Sequence, residues 1–134
     1  MVEDYIERQI DQLGKALRKW LSKIILLREQ GKETNWVENS IQSELNLDFS
    51  EIILRDKADV IPFLQKRMID RNLEPIAEIM IELAKFGLAD SDKANRLNRT
   101  ALAILEYLEK TSVTFSLSRN AKIEELKKSI ETNL

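Results

Sequence analysis

Residues 14–28 read GKALRKWLSKIILLR: five basic side chains, one tryptophan and six large aliphatics, with no acid among them. Three kinds of helix suit such a stretch: one lying on a membrane surface, one docking an acidic partner, or one walling a helical core. Periodicity separates them. Ile6, Ile10, Leu13, Leu17, Trp20, Ile24 and Leu27 recur at alternating spacings of four and three. At about 100° per residue they form one stripe, with Leu21 beside it. Lys15, Arg18, Lys19 and Lys23 lie on the far side. A membrane-surface helix has that geometry, and a tryptophan suits an interface. A surface helix of a folded domain has it too, its lysine stems covering apolar ground. The apolar stripe runs back past the basic block into a segment carrying Glu3, Asp4, Glu7 and Asp11, which anionic lipid repels. The stretch is therefore read as a core wall with a basic outer face. Leu26 is the exception, an aliphatic placed on that basic face.

Working outward, the helix is expected from Glu3 to Gln30. Acids load its start and bases its end, as the helix dipole favours. Gly31 follows as the residue that can turn left-handed and stop it. Asn35 with Glu38 has the form of a capping box ahead of WVENSIQSELNL, and Asp48 with Glu51 repeats it before FSEIILR. Asp59 and Asn72 each stand three residues before a proline. They predict helices over VIPFLQKRMI and LEPIAEIMIELAKF whose first turns hold Pro62 and Pro75, with Gly87 ending the second. Beyond the loop LADS come DKANRLNRTALAILEYLEK, the hydroxyl-rich joint TSVTFSLS, and RNAKIEELKKSIE. Only VTFSL alternates with period two, and it is too short to argue for a sheet. The expectation is an all-α chain of six or seven helices.

Composition narrows the class of activity. The 134 residues suit one domain, 1–134, and 43% hydrophobic with 33% charged residues describe a soluble, folded chain. Three glycines and two prolines leave room for long helices with short joints. The net charge of −2 provides no general attraction to nucleic acid. Cysteine and histidine are both absent, which removes disulfides, the usual zinc, iron–sulfur and haem ligands, and the commonest proton shuttle. MVEDYIERQ is unlike a signal peptide, and apolar runs such as Ile24 to Leu27 are far short of the ~20 residues of a membrane span. These features predict a cytoplasmic protein.

Candidate chemistry is sparse. DSDKAN, residues 90–95, gathers oxygen ligands but lacks the glycine and terminal glutamate of a calcium loop. Asp90 or Ser91 there is read as a helix cap. Thr111, Ser112, Thr114, Ser116 and Ser118 beside Arg119 could bind phosphate, though a loop ending in an N-cap is the simpler reading. Carboxylate pairs such as Asp56 with Asp59, or Glu124 with Glu125, are what solvated helical faces supply. No P-loop, GxGxxG or GxSxG is present, and no nucleophile, base and oxyanion donor come together. No catalytic residue, metal ligand or cofactor is expected.

One segment resembles a known family. Residues 75–110 hold two helices joined by a short loop, with Ala77 and Ala84 on the first and Ala94 and Ala101 on the second. Small side chains let paired helices approach, with Leu97, Leu102 and Leu105 filling around them. This resembles a tetratricopeptide (TPR) unit, although Asn98 stands where that repeat carries an aromatic and no proline closes the unit. DYIERQIDQLGKAL, LEYLEK and RNAKIEELK are also similar to an uncharacterised family of small bacterial helical proteins. The resemblances imply stacked helical hairpins of the α-solenoid type, and a bacterial, cytoplasmic setting.

The expected role is a non-enzymatic protein-interaction module, since helical repeats present concave surfaces to peptides. Its candidate partner-binding residues are Asn95, Arg96, Asn98 and Arg99, polar groups set among the leucines of the second helix of the hairpin. An alternative is peripheral binding of anionic lipid or another polyanion through Lys15, Arg18, Lys19 and Lys23. Another is a homo-oligomer pairing first helices along the stripe from Ile6 to Leu27, which burial of that stripe within one chain would exclude.

Overall fold

The computed structural model describes residues 2–86 and 91–132, the first three and the last of these by backbone alone. Among them are seven α-helices and no strand: α1 (Val2–Glu29), α2 (Val37–Leu45), α3 (Phe49–Ile52), α4 (Lys57–Gln65), α5 (Asp70–Lys85), α6 (Ser91–Thr111) and α7 (Leu117–Thr132). Gly87 and Asp90, expected to stop α5 and to cap α6, lie outside the described residues.

The opening stretch is a core wall. Leu17 and Ile24 are fully buried and Trp20 is 7% exposed, while Leu13, Leu21 and Leu27 pack partly buried against the same core. The stripe is not covered throughout: Ile6 is 47% exposed. Leu26, the aliphatic placed on the basic face, is 52% exposed. Gly31 ends the helix at φ +63°, with its own N–H bonded to the Arg28 carbonyl and the Lys32 N–H to the Leu27 carbonyl. Those two bonds satisfy carbonyls that the helix end leaves without partners.

Several helix starts depart from the expected caps. Asp48 does cap α3, its carboxylate accepting from the Glu51 N–H at 3.3 Å, though α3 is a single turn. Asn35 does not cap α2; Trp36 occupies the position in helical geometry, and the Val37 N–H turns back to the Thr34 carbonyl. Asp59 and Asn72 do not cap α4 and α5, which begin earlier, at Lys57 and Asp70. Pro62 and Pro75 are each the sixth residue of their helix, past the first turn. Backbone bonding begins ahead of both residues: the Asp59 and Val60 N–H groups bond the Asp56 carbonyl, and the Asn72 N–H bonds the Ile69 carbonyl. The Asn72 amide is turned instead to the Ile10 carbonyl of α1, and Asp70 accepts from Tyr107 of α6.

Helix directions follow from paired contacts. Asp11 meets Arg71 at 3.3 Å and Arg28 meets Glu82 at 3.0 Å, so α1 and α5 run the same way. Tyr107, near the end of α6, bonds Asp70 at the start of α5, so those two run oppositely. The pairs Arg119–Glu74 and Lys122–Glu78, at 3.0 and 3.2 Å, set α7 alongside α5 in the same direction. The α5–α6 contact is the most extensive of the helix pairs. Its small residues Ala77 and Ala101 are fully buried, as are Ile76, Ile79, Met80, Ile104 and Leu105.

Candidate functional site

The outer side of α6 carries the expected partner residues, and the structure divides them. Consecutive residues on an α-helix point about 100° apart, whereas residues three apart share a face. Asn95 and Asn98 therefore look one way, and Arg96 and Arg99 another. The two asparagines line a groove of about 730 Å³ between α1, α5, α6 and α7; the arginines line a second cavity of about 420 Å³. The surface drawn from sequence as one patch is two.

The larger groove has an apolar floor of Leu21, Ile25, Ile81, Ala84 and Leu126. Asn95 Oδ1 is buried there with no hydrogen-bond partner among the described residues, an acceptor left open at the wall. Around the floor stand Glu78, Glu82, Asp92 and Glu125 against Lys85 and Lys122. Glu78 is paired with Lys122, and Glu82 is held between Arg28 at 3.0 Å and Lys85 at 3.3 Å. Asp92 and Glu125 have no cationic partner among the described residues. The groove thus offers unpaired negative charge and open amides above an aliphatic base. In sequence Asp92 belongs to a capping segment and Glu125 to a solvated face, and nothing joins them to Glu78 and Glu82, because the groove's acids come from three helices: Glu78 and Glu82 from α5, Asp92 from α6 and Glu125 from α7.

The basic face of α1 has a different fate. Lys15, Arg18, Lys19 and Lys23 are all exposed. Lys23 Nζ stands 5.1 Å from the Trp20 ring centre and 5.2 Å from that of Trp36, capping two rings that tilt against each other at 6.3 Å. Trp20 also donates from Nε1 to Glu44 at 3.2 Å, tying α1 to α2. One of the four cations is therefore engaged in holding aromatic packing, and the tryptophan once offered to a lipid interface is in the core.

The hydroxyl-rich joint does not form a phosphate site around Arg119. That side chain is 11% exposed and spans two carboxylates, donating from Nε to Glu74 at 3.0 Å and from Nη1 to Glu109 at 3.2 Å. The Glu74 hydrogen bond, opposed by burial and helped by Glu109, raises its pKa above the ordinary arginine value. Ser116 Oγ accepts from the Arg119 N–H at 3.1 Å, an N-terminal cap for α7. Among the described residues no three or more carboxylates gather as a metal site, and no helix is long and apolar enough to cross a membrane.

Comparison of the chain with protein-family models, with curated proteins and with solved structures finds no match.

Proposed function

We propose that this chain is a non-enzymatic protein-interaction module whose groove between α1, α5, α6 and α7 receives a basic amphipathic segment of a partner protein. The supporting observation is the pairing of an aliphatic floor with acids that lack partners. Leucine- or isoleucine-like side chains of the segment lie on Leu21, Ile25, Ile81 and Leu126, while its lysines or arginines meet Asp92 and Glu125. Asn95 and Asn98 supply amides for its polar edge. A TPR-like stack is the architecture that goes with this reading. It is supported by the common direction of α1, α5 and α7, the opposite direction of α6, and the buried Ala77 and Ala101.

Two versions of the tagged chain, native and with Asn98→Trp to fill the groove mouth, test the reading by quantitative affinity purification from the host. The expected result is a partner with a basic amphipathic segment, retained by the native chain and lost from the variant, at equal melting temperature. A partner retained equally by both chains overturns the groove as the binding surface. Recovery of none overturns the module itself.

A further inference from the structure

The second cavity lies where α6 faces the α3–α4 connection and the end of α7. Ile53, Val60, Leu102, Ala103 and Ile130 form its apolar lining. At about 420 Å³ it falls within the ~300–1,000 Å³ range of ligand pockets. Its charge is opposite in sign to that of the larger groove: Arg55, Lys57, Arg96 and Arg99 face Asp56 and Glu106.

Two of these cations are already occupied. Lys57 pairs with Glu106 at 3.7 Å, and Arg55 pairs with Glu51 at 3.2 Å while stacking 3.5 Å over Phe63. Arg96 and Arg99 have no ion pair or hydrogen bond among the described residues, and neither does the hydroxyl of Thr100, which lines the same cavity. Two arginines about one helical turn apart and a hydroxyl, donors without acceptors among the described residues, line an aliphatic hollow. Guanidinium recognises carboxylate and phosphate through paired N–H donors.

We infer that this cavity binds a small amphipathic anion, a carboxylate or phosphate head carried on a short alkyl chain. The head sits between Arg96, Arg99 and the Thr100 hydroxyl, and the chain covers Val60, Leu102, Ala103 and Ile130. This site is separate from the peptide groove and does not depend on it.

Decanoate, decyl phosphate, decanol and inorganic phosphate, titrated below any micelle concentration, distinguish head from chain. Isothermal calorimetry with backbone amide chemical shifts provides the readout. Saturable binding of decanoate and decyl phosphate is expected, with shifts at Val60, Arg96, Arg99 and Ala103. Decanol and inorganic phosphate are expected to bind at least about tenfold more weakly, a difference of about 1.4 kcal/mol. Arg96→Gln with Arg99→Gln, at unchanged melting temperature, is expected to weaken decanoate by a similar factor. Phosphate binding as tightly as decyl phosphate overturns the amphipathic part of the inference. Absence of saturable binding, undiminished binding by the double variant, or shifts confined to the larger groove overturn it entirely.

Discussion

Asn72 Oδ1 lies 2.9 Å from the point where a β-carbon on Gly14 would stand. A β-carbon at that point of α1 would force the Asn72 side chain of α5 to shift. The amide cannot withdraw freely, because it is buried and its Nδ2 donates to the Ile10 carbonyl at 3.2 Å. On an open helix Gly→Ala stabilises by about 1 kcal/mol. At position 14 the substitution is expected instead to cost about 1–2 kcal/mol, through displacement of a buried hydrogen bond. In an Asn72→Ala background the same change should become stabilising. Urea unfolding of the four chains measures both signs, and a stabilising Gly14→Ala in the otherwise native chain contradicts the close approach.

Trp20 joins the core to α2. Its replacement by Ala is expected to cost about 3–5 kcal/mol. Trp20→Phe should cost far less, losing chiefly the bond to the exposed Glu44. Denaturant midpoints at constant slope provide the comparison. A loss under about 0.5 kcal/mol for the alanine variant, the scale of ordinary surface substitutions, would place Trp20 at the surface.

Arg119 fastens the start of α7 to both α5 and α6. Replacing it by Ala leaves Glu74 and Glu109 facing each other without a cation, in partly buried positions. A loss of about 2 kcal/mol is expected, between the values for exposed and buried pairs. Arg119→Lys should recover less than half, since one ammonium cannot reproduce bonds to two carboxylates. Full recovery by lysine contradicts the geometric requirement.

Tyr107 provides a pH test. Its hydroxyl donates to Asp70 Oδ2 at 2.7 Å, and Gln65 Nε2 donates to both groups. The Asp70 hydrogen bond first, then burial and the carboxylate's charge, raises the phenol pKa above the ordinary tyrosine value. Between the ordinary value and the raised one, the unfolded chain has released this proton and the folded chain retains it. The associated stability is therefore complete below the ordinary tyrosine pKa and is lost as pH rises through the folded value. In Asp70→Asn the phenol should titrate closer to its ordinary value, and the alkaline loss from this group should shrink. Ultraviolet difference titration of native and variant chains checks the direction; an unmoved titration refutes the assignment.

The basic face of α1 should behave as a solvated surface. Changing Lys15, Lys19 and Lys23 together to Gln is expected to leave the helical circular dichroism intact, because exposed charge contacts are worth under about 1 kcal/mol. Tryptophan fluorescence should nevertheless change, since Lys23 covers both indole rings. Little sedimentation with anionic liposomes is expected at physiological salt. Strong binding abolished by the triple change would restore the lipid alternative.

Much of the architecture was legible in residue order. The stripe through Leu17, Trp20 and Ile24 announced a buried face, Gly31 a left-handed stop and Asp48 a cap. These are local properties: periodicity, allowed backbone angles and hydrogen bonds between near neighbours act within a few residues. Tertiary structure decided the rest. It started α4 and α5 ahead of Asp59 and Asn72, and it turned the Asn72 amide to the Ile10 carbonyl of α1, a partner 62 residues away in sequence, instead of to its own helix. It left Ile6 bare, because a stripe declares which face is apolar without supplying a neighbour to cover it. The 100° step that parts Asn95 and Asn98 from Arg96 and Arg99 was already in the sequence. Only the placement of α1, α5 and α7 beside one face, and of Ile53 and Val60 beside the other, made them two cavities of opposite charge, because a concave site is made between helices and not along one.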